Sequence, residues 1–166
     1  MPLSDEARRE RAFALAYQHL ARRDRSVAEM QRHLSVRNVD AQIAGEVVEE
    51  LCAQGYLDDA RFASRFTADR RTLDMWGRER IARRLLELGI DEALIEEALA
   101  NGDVGDERAR AMALLRRRFV DPPCDDRSRA SALGLLVRRG YELDLAYDAV
   151  RAHAGEQAAD PSSAVP

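Results

Sequence analysis

The stretch GYLDDARFASRF, Gly55 to Phe66, gathers two adjacent carboxylates and two arginines among aromatic rings. Side-by-side carboxylates are the residue types of general acid–base catalysis and of divalent-cation binding, and arginines beside them suit the grip of phosphate or carboxylate. The spacing argues against that chemistry. On a helix, the side chains of Asp58 and Asp59 diverge by about 100° and do not converge on one ion. Elsewhere the chain has no Gly-rich phosphate loop, no HExxH pair and no Cys/His cluster, and His19, His33 and His153 lack ligand spacing. No catalytic residue, metal ligand or cofactor is therefore expected. The same stretch reads well as a joint. Gly55 can close one helix and Asp58 can cap the next. Leu57, after Tyr56, then stands at N′ to pack on Phe62 at N4. Phe62 and Phe66 share one helix face, and Arg61 and Arg65 form the neighbouring i, i+4 row.

Composition points to the elements that must carry such a joint. Abundant Ala, Leu, Arg and Glu with few aromatics and few β-branched runs favour helix, and 46% hydrophobic residues in 166 supply material for a core. All 26 basic residues are arginine, which removes lysine nucleophiles, Schiff bases and P-loops. A net charge of −4 disfavours a simple polycationic nucleic-acid binder unless the two signs are segregated on the surface. Cys52 and Cys124 are far apart and have no CxxC or His neighbour, so reduced thiols are expected. No window is apolar enough for a membrane span and the first residues lack a signal-peptide core, so a cytoplasmic protein is expected.

An internal repeat organises the chain. Leu34, Leu85 and Leu136 stand 51 residues apart in segments that align without gaps: LSVRNVDAQIAGEVV, LLELGIDEALIEEAL and LVRRGYELDLAYDAV. One column reads Asn38, Gly89, Gly140, the residue types that close a helix in the left-handed conformation. Asp40, Asp91 and Glu142 follow as first-turn carboxylates, and apolar columns then recur with helical spacing. A further helix precedes each pair, anchored at Tyr17, Phe66 and Leu115. Their spacing of 49 implies a loop that lengthens in successive repeats, ending in VDPPCDD where Pro122 and Pro123 stop the helix. The expectation is an all-α chain of three tandem three-helix repeats in an elongated, curved arrangement. The repeats are placed at residues 1–56, 57–102 and 103–154, with a disordered tail at 155–166.

The first-repeat run RSVAEMQRHL, the junction GYLDDARFASRF, the second-repeat GRERIARRLLELGIDEALIEEAL and the third-repeat RRGYELDLAYDAV together resemble the RecX family, over nearly all of residues 12 to 153. The resemblance implies a non-enzymatic, cytoplasmic and monomeric protein. It implies binding in the groove of the RecA filament on DNA and modulation, usually inhibition, of RecA's ATPase, strand exchange and co-protease action. The chain departs from many relatives in lacking lysine and in its short lead before the first helix.

Charge patterning suggests where contact would occur. Arg80, Arg83 and Arg84 lie opposite the stripe of Ile81, Leu85 and Leu88, and Arg110, Arg117, Arg118, Arg138 and Arg139 extend the basic series. With Arg61 and Arg65 these are the candidate contacts to RecA or to single-stranded DNA, because arginine pairs with carboxylate and phosphate alike. Solvated surface charge is the competing reading for each one singly. Trp76, in the loop before Gly77, is either an exposed anchor or a seal between repeats. The alternative function is a helical regulator that binds DNA directly, disfavoured because the helices after the glycine turns are acidic.

Overall fold

The computed structural model describes residues 4–101 and 104–156. The protein is all-α: nine helices and no strand occur among the described residues. The helices are α1 (Asp5–Leu20), α2 (Val27–Val36), α3 (Ala41–Ala53), α4 (Asp59–Leu73), α5 (Arg78–Glu87), α6 (Glu92–Ala100), α7 (Val104–Arg118), α8 (Asp126–Arg139) and α9 (Leu143–Glu156). They recur as three helical triplets. The first two residues assigned to a tail, Ala154's successors Gly155 and Glu156, belong to α9, and residues 157–166 lie outside the described residues.

Local chemistry starts and stops these helices. Ser4 and Asp40 accept first-turn amides of α1 and α3, while Ser26 with Glu29 and Asp125 with Ser128 form capping boxes on α2 and α8. Each second helix closes in the same way. Asn38, Gly89 and Gly140 have φ of 57°, 80° and 84°. The amide that follows each reaches back to the carbonyl of Leu34, Leu85 or Leu136, and each residue's own amide bonds to that of Ser35, Leu86 or Val137. This paired pattern satisfies carbonyls that the helix end would otherwise leave without donors.

The loop before the second helix does not lengthen steadily. It spans Ala21–Ser26, then only Asp74–Gly77, then Phe119–Asp125. In the second triplet the added residues extend α4 itself, which runs a full turn further past Phe66 than α1 runs past Tyr17. In the third, part of the addition becomes an extra first turn of α8. Helix continuation is the cheaper use of inserted residues where, as in TADRRTL, nothing breaks the ladder; Pro122 and Pro123 forbid it after α7.

The chain forms two compact units. One contains the residues up to Phe66 together with Leu85–Ala98, and the other Thr67–Arg84 together with the residues from Leu99 onward. The core of the first is built from Ala12 and Ala16 of α1, Met30 and Leu34 of α2, Val47, Val48 and Leu51 of α3, and Leu57. That of the second combines Ala111 and Leu115 of α7, Ala132 and Leu136 of α8, Tyr141 in the turn that follows α8, and Ala146, Ala149 and Val150 of α9. Alanines on the first helix of each core let neighbouring helices approach closely, so burial of modest side chains still fills the interior.

Between α1 and α2 the rings of His19 and His33 stack with centroids 3.8 Å apart and planes 9° from parallel. Partial burial, then the charge of Arg25, then His33 push His19 down to about 4. The unfolded chain takes up this proton near 6.5, so between these values it holds more protons than the folded chain, and stability falls as pH decreases through that window. Urea midpoints measured at pH 7 and pH 5 should therefore differ less in His19→Gln than in the parent protein.

Candidate functional site

The two carboxylates of the opening stretch part company at once. Asp58 caps its own helix, accepting the Arg61 amide at 2.8 Å, while Asp59 turns away to accept the Val27 amide at the start of α2 at 2.9 Å. Burial, only partly offset by that amide and reinforced by Asp58, raises the Asp59 carboxyl above its ordinary range. The pair thus holds two helix ends rather than one ion. Gly55 stands at φ 75° and closes α3, with the Tyr56 amide bonded to the Leu51 carbonyl at 2.9 Å. Leu57 and Phe62 are both buried at N′ and N4, Tyr56 is exposed with its ring edge-on to Tyr17, and Phe62 stacks on a half-buried Phe66.

Asp59 belongs to a larger joint. In the same unit the Ser26 hydroxyl donates to the Leu88 carbonyl at 2.6 Å, and a Cβ on Gly89 would overlap that of Ala28. The start of α2 therefore receives a carboxylate from α4 and the helix-closing turn of α5. The second unit repeats the device one 51-residue period later. The Arg78 amide, at the start of α5, donates to Glu107 of α7 at 2.7 Å. The Gly77 and Glu79 amides donate to the carbonyls of Arg139 and Gly140 at 2.8 and 3.0 Å. In both cases an open helix N-terminus is satisfied by a side-chain carboxylate and packed on a closing turn, which pairs first-turn amides that have no acceptor within their own helix.

The second joint is the more elaborate. The Arg139 guanidinium donates to the Asp74 carbonyl, the Tyr141 hydroxyl donates to the Met75 carbonyl at 2.8 Å, and Arg80 donates to the Arg138 carbonyl at 3.0 Å. Met75 holds a left-handed φ of 52°. Trp76 is half-buried, with the Arg80 guanidinium 4.2 Å and that of Arg70 5.5 Å from its ring centre. Its place is within this joint, where cation–π contact adds to packing.

The candidate arginines differ in what they bind. Arg61 donates to the Gly55 carbonyl at 2.6 Å, Arg65 pairs with Asp24 at 2.9 Å, and Arg80 and Arg139 tie the joint just described. Arg110 is half-buried with an Nε that meets no acceptor among the described residues. Arg83, Arg84, Arg117, Arg118 and Arg138 are exposed, and of these the side chains of Arg83, Arg117, Arg118 and Arg138 carry no ion pair with another described residue. No group of three or more His, Cys, Asp and Glu side chains is placed to hold a metal ion, and no helix is long and apolar enough to cross a membrane, among the described residues.

Sequence reasoning missed Asp59, Glu107, Ser26 and Tyr141 as joint residues. The signal was present: Ser26 and Gly77, Val27 and Arg78, Gly89 and Gly140 are each one period apart. What hid it is that the contacts use backbone groups and a carboxylate that changes from Asp to Glu.

Comparison with known proteins gives a consistent picture. The family model described as RecX, first three-helix domain, matches residues 12–51, and that described as RecX, second three-helix domain, matches residues 58–99. The chain is 32% identical over 163 residues to the Regulatory protein RecX of Mycobacterium sp. (strain JLS), covering 94% of this chain and 89% of the relative. It is 36% identical over 154 residues to that of Mycolicibacterium vanbaalenii, covering 87% and 83%. The crystal structure of RecX from Lactobacillus salivarius superposes with a TM-score of 0.77 at 18% identity, covering 90% of this chain and 97% of that one. A second crystal structure of regulatory protein RecX gives 0.73, covering 92% and 79%.

Proposed function

Because the chain belongs to the RecX family of regulatory proteins, we propose that it binds the RecA filament in its groove and restrains RecA's ATPase, strand exchange and co-protease activities. It does so as a non-enzymatic, monomeric cytoplasmic regulator of DNA repair and recombination. The observation that carries this reading is the match to Regulatory protein RecX relatives over about nine-tenths of the chain. The division of the arginines supports it. Those that tie joints are committed to their own chain, whereas Arg83, Arg117, Arg118 and Arg138 present guanidinium groups to an outside acceptor. Arginine's planar fork suits the carboxylates of a protein surface and the phosphates of DNA held beside it.

The contact residues follow from that division. Arg80 is a poor probe of binding, since its loss would loosen Trp76 and the Arg138 carbonyl. The combined variant Arg83→Glu, Arg117→Glu, Arg118→Glu should keep the parent's urea midpoint, since surface changes away from packed features shift stability by about 0.5 kcal/mol or less. Its affinity for RecA filaments on single-stranded DNA should fall at least about tenfold, read by fluorescence anisotropy of a labelled chain. Undiminished affinity would remove these arginines from the interface.

A further inference from the structure

Two of the turns that close a second helix are packed against their own chain. A Cβ at Gly89 would overlap that of Ala28 and one at Gly140 would overlap Arg80, so neither position has room for a side chain. The turn at Asn38 takes the same left-handed backbone, φ 57°, with a side chain in place. Asn is more strained there than Gly, and what it adds is a carboxamide. That group is exposed and makes no hydrogen bond with another described residue.

The Asn38 turn opens into a recess of about 310 Å³. Val39 and Ile43, half-buried against the core of the first unit, give it an apolar floor. Arg8 and Arg11 of α1 and Arg37 at the close of α2 line it together with Asn38 and Asp40. The Asp40 carboxylate is committed to its own helix, where Oδ1 accepts the Gln42 and Ile43 amides at 2.9 and 3.3 Å. Arg8 pairs with Asp5 at 3.1 Å. Arg11 and Arg37 share the recess and carry no ion pair with another described residue. The dipole at the end of α2 favours a cation at Arg37. It gives no reason for Arg8 and Arg11, which stand in the N-terminal half of α1, the end at which a helix dipole disfavours cations. Like charges gathered in one recess leave room for an anion between them.

We propose that this recess binds a phosphate monoester group, held by the Arg11 and Arg37 guanidinium groups and the Asn38 carboxamide, with Arg8 adding to the positive field. Two uncommitted guanidinium groups and a carboxamide offer more donors than the two oxygens of a carboxylate can take, whereas a phosphate monoester brings three terminal oxygens and close to two negative charges. Size points the same way. A helix about 10 Å across does not fit a recess of 310 Å³, but a phosphate with a compact group attached does, its apolar part resting on Val39 and Ile43.

None of these residues is among the arginines proposed to meet RecA, and the test needs no recombinase, so either reading can fail alone. The full chain is titrated by calorimetry in phosphate-free buffer with thymidine 5′-monophosphate, inorganic phosphate, thymidine and succinate. Thymidine 5′-monophosphate should bind one to one and at least about tenfold more tightly than succinate, a dicarboxylate of similar charge, while thymidine should not bind. Arg11→Gln and Arg37→Gln, both at exposed positions, should each weaken that binding at least about fivefold in chains that circular dichroism shows to be folded. Asn38→Gly removes the carboxamide and relieves the left-handed strain, so it should weaken binding about threefold without lowering the urea midpoint. Inorganic phosphate bound as tightly as the nucleotide would assign the recess to phosphate itself, and weaker binding would assign it to a phosphorylated organic ligand; both uphold the site. No binding, succinate bound as tightly, or binding indifferent to the three variants would overturn the proposal. So would a 15-nucleotide oligothymidylate that binds through these arginines when the monophosphate does not, which would assign the recess to a nucleic-acid strand.

Discussion

Replacing Gly140 by Ala is expected to destabilise the protein by about 3 kcal/mol, against about 1 kcal/mol for the same change at Gly55. Both glycines have left-handed backbone, φ 84° and 75°, so both variants carry the conformational strain of an L residue there. They differ in what a Cβ would meet. At Gly55 nothing lies within 4 Å, whereas at Gly140 the new atom would come within 2.8 Å of the Arg80 Cα and closer still to the Arg80 amide nitrogen. Backbone on the two sides of the joint cannot both stay in place. The opposing change, Gly77→Ala, would put a Cβ 2.5 Å from the Tyr141 nitrogen and should be similarly costly. Urea unfolding of Gly140→Ala and Gly55→Ala side by side measures the difference. Equal losses would mean that the joint does not constrain the turn.

Tyr141→Ala should have the largest effect of any single truncation at this joint, about 4 kcal/mol. The side chain is 1% exposed, packs in the core with Leu136 and Ala146, and donates its hydroxyl to the Met75 carbonyl at 2.8 Å. Tyr141→Phe keeps the ring and separates the two contributions. It should cost about 1 kcal/mol, the worth of one hydrogen bond whose acceptor is left behind. Burial pushes the Tyr141 hydroxyl up to about 12, so the unfolded chain gives up this proton near 10 while the folded chain keeps it. Stability contributed by the neutral hydroxyl is then lost as pH rises from about 10 towards 12. In Tyr141→Phe that alkaline decline, followed by circular dichroism, should be shallower. A Phe variant as unstable as the Ala variant would contradict the division into packing and hydrogen bond.

The sequence shows the helices plainly because each of their signals is local. The column of Asn38, Gly89 and Gly140 names the residues that can turn left-handed, and Ser26, Asp40 and Asp125 precede apolar periodicity as caps do. The fate of inserted residues was less legible. Whether TADRRTL continues a helix or begins a loop depends on what its faces bury, which periodicity alone does not say. The candidate site was legible in residue type and not in role. Asp58 and Asp59 are chemically equal in the sequence; only the fold sends one to the Arg61 amide and the other to Val27, 32 positions back along the chain. Arg80 and Arg83 sit one turn apart on what looks like a single basic face. Yet Arg80 lies over Trp76 and binds a carbonyl, while Arg83 is left for solvent or a partner. An arginine's partner is a property of tertiary approach, and that is why a charge pattern overstates a binding surface.

The central claim, that this chain regulates RecA, is tested most directly by the rate of ATP hydrolysis by RecA on single-stranded DNA as the protein is added. The rate should fall in a saturable manner, and the variant Arg83→Glu, Arg117→Glu, Arg118→Glu should need at least about ten times more protein for half the effect. An unchanged rate at saturating protein, with the added chain folded, would contradict it.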